Sequence, residues 1–101
     1  MQLNPKQISY LRGLAHHLNP VVMVGNNGLS EAVLKEVDVN LKAHELIKIK
    51  VQSDEKAVRA QMLDNVCATL GCTPVHHIGK NLVVYRASDT VKESAKIVIP
   101  K

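Results

Sequence analysis

Aromatic residues are nearly absent from this chain of 101 residues, which has two tyrosines and neither tryptophan nor phenylalanine. Its hydrophobic content is nevertheless 46%, more than a disordered segment shows. An aromatic core is therefore excluded. We expect one folded domain whose core is built from leucine, isoleucine, valine and alanine.

Cysteines are few, and long apolar runs are missing. Cys67 and Cys72 are the only cysteines, whereas secreted domains of this size usually carry more. Residues 1–5 lack the apolar run of a signal peptide, and no segment approaches the roughly 20 apolar residues that span a bilayer. These absences predict a cytoplasmic protein with reduced thiols and no membrane partner.

The chain order α-β-α-β-α-β-β follows from the spacing of its apolar residues. A capping residue, or a terminating glycine or proline, indicates each helix. A short apolar run, or an alternation of apolar and polar residues, indicates each strand. The predicted helices cover residues 4–19, 30–41 and 53–70, and the predicted strands are Val21–Val24, Leu46–Val51, Val75–Ile78 and Leu82–Tyr85.

This order predicts an α/β fold of two layers, with the helices on one face of a four-stranded mixed sheet. The first two strands should be parallel because a helix connects them, and the last two antiparallel because Gly79-Lys80-Asn81 is typical of a hairpin turn. The predicted domain spans residues 1–88. The tail, residues 89–101, is expected to be either a short edge strand or mobile.

The segment Gly25-Asn26-Asn27-Gly28 separates the first strand from a helix that Ser30 can cap. Two glycines let a ligand approach the backbone closely, and the free N–H groups of the helix favour an anion. A GXXG loop of this kind clamps a nucleic-acid backbone in KH domains. The alternative is an ordinary turn, because asparagine and glycine form turns without any ligand.

A formal net charge of +4 favours anionic partners such as RNA, DNA or acidic lipid. Six basic positions stand out: two on the first helix, two on one face of the second strand and two that bracket the last strand. They are Arg12, His16, Lys48, Lys50, Lys80 and Arg86. The alternative for any one of them is a solvated surface side chain.

Catalytic and metal-binding patterns are not evident. Cys67, Cys72, His76 and His77 have a C-x₄-C-x₃-H spacing that differs from zinc-finger patterns, and Cys67 lies at the edge of a helical apolar stripe where a buried thiol is common. Paired carboxylates, a nucleophile elbow and an H-E-x-x-H motif are lacking. We expect no enzyme activity, no catalytic residues, no metal, no cofactor and no small-molecule substrate.

Five sequence blocks resemble the YhbY family, the bacterial stand-alone form of the CRM (chloroplast RNA splicing and ribosome maturation) domain. They are GLAHHL at 13–18, PVV at 20–22, GNNGL at 25–29, HELIKIK at 44–50, and IGK with VVYR between 78 and 86. The resemblance covers roughly residues 2–86, and the tail after Ala87 carries nothing over.

This resemblance implies a fold similar to the C-terminal domain of translation initiation factor 3, and association with precursors of the large (50S) ribosomal subunit. It also implies that the 25–28 loop and the six basic positions contact RNA. With so few aromatic residues, recognition should rest on the backbone and shape of structured RNA rather than on base stacking.

The first hypothesis is therefore a monomeric ribosome-assembly factor that binds precursor ribosomal RNA. The rival is a protein-interaction module whose basic surface only aids solubility. A small metalloenzyme is a third class, which metal analysis of the purified protein would distinguish.

Overall fold

The computed structural model describes residues 3–100 and contains three α-helices, four strands and one short 3-10 helix. In chain order these are α1 (Pro5–Ala15), β1 (Val22–Val24), α2 (Glu31–His44), β2 (Leu46–Val51), α3 (Lys56–Leu70), β3 (Thr73–Ile78), β4 (Asn81–Tyr85) and the 3-10 helix Glu93–Ala95. The predicted order α-β-α-β-α-β-β and the mixed α/β class are confirmed.

Local capping explains where two of the helices begin. Asn4 and Gln7 form a reciprocal capping box at the start of α1, in which the Gln7 N–H donates to Asn4 Oδ1 at 2.8 Å. The Ser30 hydroxyl accepts from the Val33 N–H at the start of α2, as expected. Helix α3 instead starts after Glu55 without a side-chain cap.

The helix ends show one agreement and one difference. Gly71 ends α3 in the left-handed conformation, with φ at +65°, as the sequence predicts. Helix α1 ends at Ala15, earlier than the predicted Asn19, because the chain tightens into a turn in which the Leu18 N–H donates to the Ala15 carbonyl.

The strands form one sheet in the order β1-β2-β4-β3. Strands β1 and β2 are parallel, whereas β4 is antiparallel to both β2 and β3, so both predictions of strand direction are confirmed. Ile49 of β2 marks the register, because it lies opposite Val22 on one side and Leu82 on the other.

Two separate cores lie on opposite faces of this sheet. Helices α2 and α3 cover the first core, to which β2 contributes Ile47, Ile49 and Val51. The second core lies under α1 and consists of Leu11, Ala15, Leu46, Val75, Val83 and Tyr85. The expectation that all helices lie on one face is therefore wrong. Strand β4 is apolar at consecutive positions, so both of its faces need a covering layer.

Strand β1 also differs from its prediction as a fully buried strand. Val22 and Val24 are buried in the first core, but Met23 between them is 55% exposed. Strand β1 is an edge strand, and α1 packs instead against β2 and β3. The face of β1 that Met23 occupies therefore remains open to solvent.

The edge strand that the sequence allowed for the tail does not form in its described residues, 89–100, whereas the mobility of the tail stays a prediction. Within residues 89–100 no residue is part of a strand, and the segment packs against the domain. Val91 is buried, Ile97 and Ile99 pack on the second core, and the Gln7 side chain donates to the Pro100 carbonyl at 3.0 Å. A domain boundary at residue 88 stays a prediction.

The buried carboxylate of Glu45 attaches this tail to the sheet. Its two oxygens accept from the backbone N–H groups of Ser88 at 2.8 Å and Ile97 at 2.9 Å. Glu45 itself has φ at +66°, a conformation that strains a residue with a Cβ. Because it lies between α2 and β2, its carboxylate reaches both Ser88, just before the tail, and Ile97 within it.

We predict that Glu45→Ala lowers the free energy of unfolding by about 2 kcal/mol or more, since two backbone N–H groups lose their acceptor. Glu45→Gly should be less damaging than Glu45→Ala, because glycine relieves the strain at positive φ. Urea denaturation followed by circular dichroism measures both values. Glu36→Ala, an exposed change on α2, is the control and should alter stability by less than about 0.5 kcal/mol. Equal stability of Glu45→Ala and the parent would contradict this role.

Candidate nucleic-acid interface

The loop of residues 25–28 is a closed β-turn that projects from the end of β1. The Gly28 N–H donates to the Gly25 carbonyl at 3.1 Å, and Asn26 and Asn27 at the tip are exposed. Gly28 has φ at +72°, so the fold itself requires glycine there. A Cβ at Gly25 would meet only Gln52 Oε1, at an ordinary 3.8 Å. The fold therefore does not require glycine at position 25. Close approach of a ligand to the backbone would explain why glycine stands there.

The loop is joined to β2 through Gln52. The Gln52 N–H donates to the Val24 carbonyl at 2.9 Å, and its side-chain amide donates to Met23 Sδ at 3.2 Å. These contacts hold the base of the loop beside the end of β2, where Lys50 lies opposite Met23. The loop and Lys50 therefore belong to one continuous surface.

The start of α2 contributes less positive potential than its position suggests. Ser30 already occupies one of the free N–H groups, and Glu31 places a carboxylate in the first turn. A carboxylate there stabilises the helix but repels a phosphate. Attraction for an anion at this loop must therefore come mainly from neighbouring basic side chains.

Those side chains lie on the sheet face that α1 partly covers. Arg12, His16, Lys48 and His76 line one shallow concavity, and Lys50 follows Lys48 on the same face of β2. We call this set, Arg12, His16, Lys48, Lys50 and His76, the basic face. Between residues 3 and 100, no carboxylate lies within salt-bridge distance of any of its members.

His76 is the member that the sequence did not assign to the interface. It was considered only as a zinc ligand, and strand alternation alone does not predict on which face of β3 it lies. The register of β3 shifts between Pro74 and His76, which changes the face that the following residues occupy. In the sequence, only the pair His76-His77 in a predicted strand could have suggested a place in the interface.

Lys80 is near this surface but is already paired. Its ammonium lies 2.7 Å from Asp54 Oδ1, and its carbonyl accepts from the Val51 N–H at the same end of the sheet as the loop. The hydrogen bond from Lys80 lowers the pKa of the exposed Asp54 carboxyl. The carboxylate of Asp54 therefore partly neutralises the charge of Lys80.

Arg86 is not brought together with the loop. Its guanidinium lies 2.9 Å from Asp38 Oδ1 and donates to the carbonyls of Leu70 and Asp38, near the ends of α3 and β4. The hydrogen bonds from Arg86 and then Lys42 hold the pKa of Asp38 below its ordinary value. This geometry gives Arg86 a part in joining α2 to α3, and a contact with RNA stays a prediction.

The cysteine, histidine and acidic side chains bear on whether the protein has a metal site or a reactive thiol. Within the described range of 3–100, no group of three or more His, Cys, Asp or Glu residues is placed to hold a metal ion. The Sγ atoms of Cys67 and Cys72 are 3.6 Å apart. Hydrogen bonding to Cys72 and burial raise the pKa of the Cys67 thiol, whereas hydrogen bonding to Cys67 lowers the pKa of Cys72. As for membranes, none of the helices described here has the length and apolarity to cross one.

Comparison with known proteins gives one family over most of the chain. The profile of the CRS1 / YhbY (CRM) domain matches residues 3–86. An RNA-binding protein of Haemophilus influenzae is 44% identical over 99 residues, covering 98% of this chain and 96% of that protein. Bacillus subtilis YqeI, named a probable RNA-binding protein, is 32% identical over 98 residues, covering 97% of this chain and 99% of its own.

A solved structure has the same fold. The solution structure of Staphylococcus aureus SAV1595 superposes with a TM-score of 0.84 at 32% sequence identity. The match covers 98% of this chain and 100% of the other. Three helices with a four-stranded mixed sheet are therefore shared across the full length.

We predict that Asp38→Asn destabilises the protein at neutral pH and that this difference shrinks in acid. The folded pKa of Asp38 lies below its ordinary value of 3.8, so its stabilising contribution is present above about pH 4 and is lost as the pH falls through the folded pKa. Urea denaturation at about pH 7 and pH 3 tests this. Asp64→Asn, at an exposed site, is the control; a difference between parent and Asp38→Asn that stays constant with pH would contradict the ion pair.

Proposed function

Because the chain belongs to the CRS1 / YhbY (CRM) domain family, we propose that it is an RNA-binding protein that associates with precursor ribosomal RNA of the large subunit during ribosome assembly. Relatives that align along nearly its whole length are named RNA-binding proteins. The ribosomal assignment is supported by the resemblance of the five sequence blocks to bacterial members that associate with large-subunit precursors.

One structural observation carries the proposal: an exposed glycine-flanked loop lies next to basic side chains that have no acidic partner among residues 3–100. Gly25 leaves the backbone open to a ligand although the fold tolerates a Cβ there. Lys50 is exposed beside Met23 at the base of the loop. A polyanion that contacts the loop would therefore also meet Lys50 and the rest of the basic face.

The chemistry of this surface favours the RNA backbone over the bases. Tyr85 is buried, and Tyr10 is not among the residues that line the basic concavity. Because no tyrosine lines this concavity, we expect binding to depend mainly on phosphate contacts and on the shape of a folded RNA. We propose that the protein acts as a monomer in the cytoplasm, where precursor ribosomes of bacteria are assembled.

The rival function, a protein-interaction module, is supported by one observation. An apolar groove of about 500 Å³ lies between the end of α1, the start of β2 and the tail, and Leu14, Leu18 and Val21 on its walls are partly exposed. Salt dependence separates the two functions. If roughly four to six phosphates are neutralised, log K should fall with log salt at a slope of about −3 to −5, whereas docking in the groove should hardly respond.

We predict that replacing Asn26 and Asn27 together by aspartate lowers affinity for a structured ribosomal RNA fragment at least about tenfold. The two new carboxylates would face phosphates at close range, whereas the turn should persist because aspartate also favours turns. Fluorescence anisotropy at several salt concentrations measures the affinity, and thermal melting checks the fold.

The matched control adds the same two charges elsewhere, as Ser94→Asp with Ala95→Asp in the exposed 3-10 helix. That variant should bind RNA within about threefold of the parent, since its charges are far from the loop and screened by salt. If the two double variants lose affinity equally, the effect is one of net charge and the loop is not the contact.

A further inference from the structure

A β-bulge in β3 brings His76 to the basic face. Pro74 pairs with Val84 and His76 with Val83, so Val75 has no partner of its own in β4. A bulge of this kind re-aims the side chains that follow it. Val75 packs in the second core under α1, His76 lines the concavity beside α1, and His77 accepts from Arg59 Nε on the α3 side at 3.2 Å.

The bulge also fixes Arg12. Val75 lies outside the regular pairing of the ladder, and its carbonyl accepts from Arg12 Nε at 2.8 Å. This bond uses only the Nε–H of the guanidinium, so its two terminal nitrogens can donate to another acceptor. Arg12 is therefore held in position next to His76 before any ligand binds.

The resulting concavity has both basic and apolar lining residues. Arg12, His16, Lys48 and His76 line it together with the buried Ala15 and Val83 and the exposed Ile78. Its volume is about 30 Å³, far below the size of pockets that hold a base or a small molecule. Nitrogen donors from α1, β2 and β3 around so small a space suit the oxygens of one phosphate.

We propose that this concavity binds one backbone phosphate of the RNA, and that His76 takes up a proton when the phosphate binds. The proposal rests on the RNA-binding function proposed above. It adds a defined subsite whose lining residues lie outside the glycine loop, and a dependence of affinity on pH.

The surroundings of His76 explain why the proton arrives with the ligand. In the free protein, burial, then the charge of Arg12, then His77 lower the pKa of His76 below its ordinary value of 6.5. The other groups that face it are His16 on α1 and Lys48 on β2, while β4 contributes only the apolar Val83. A phosphate brings the opposite charge and favours the imidazolium form. RNA binding should therefore strengthen as the pH falls from about 8 to about 6.

The test compares the RNA affinities of the parent, His76→Gln and His44→Gln at about pH 6 and pH 8 and constant ionic strength. His44 is exposed and lines the apolar groove instead of the concavity, so its variant removes one imidazole as a matched control. The parent and His44→Gln should bind about three- to tenfold more tightly at the lower pH, within the limit of about tenfold per pH unit for one proton. His76→Gln should lose most of this ratio.

A second measurement keeps the test independent of any folding defect in the variant. The titration of the His76 imidazole in the parent, followed by NMR, should move to higher pH when saturating RNA is present. An unchanged titration, or an equal pH ratio in His76→Gln and the parent, would overturn this subsite while leaving RNA binding intact. Absence of RNA binding by the parent at both pH values would overturn the proposed function itself.

Discussion

Strand β2 has a neighbouring strand on each edge and a helical layer on each face, and this double packing determines where the protein can be polar. On one face Ile47, Ile49 and Val51 are buried under α2 and α3. On the other face burial decreases along the strand, from Leu46 under α1 to the half-buried Lys48 and the exposed Lys50. The basic face begins where α1 stops covering the sheet.

The two ends of the sheet consequently differ. At the end where β2 begins, polar groups are paired: the Glu45 carboxylate accepts from Ser88 and Ile97, and Arg86 binds Asp38. At the end where β1 and β2 finish, the loop tip is exposed and the basic face has no acidic partner in the described structure. The first end stabilises the fold, and the second is free to bind a polyanion.

Much of the fold could be predicted because its signals are local. Ser30 and Gly71 mark helix ends through the conformations they favour, and the alternation of Ile47 to Val51 places one face of β2 in a core. The position of α1 on the opposite face could not be predicted in this way. The consecutive apolar residues of β4 indicate that both of its faces are covered, but they do not indicate which helix covers which face.

In the candidate site, too, the residues with local sequence signals could be predicted, and those whose position depends on the folded structure could not. The 25–28 loop and Lys50 were found because a turn motif and strand alternation are visible in sequence. Arg86 also counted as a surface base, yet its partner Asp38 is distant in the chain and only folding brings them together. His76 was missed because its face depends on a bulge, and Glu45 because a positive φ at glutamate has no sequence signature.

We propose that RNA lies across the loop and the basic face. Ultraviolet cross-linking in cells, with identification of both the attached RNA and the attached peptide, would locate this contact. We expect large-subunit precursor RNA on peptides that contain residues 25–28, Lys50 or His76. Cross-links confined to the outer surfaces of α2 and α3, or to RNAs unrelated to the ribosome, would contradict it.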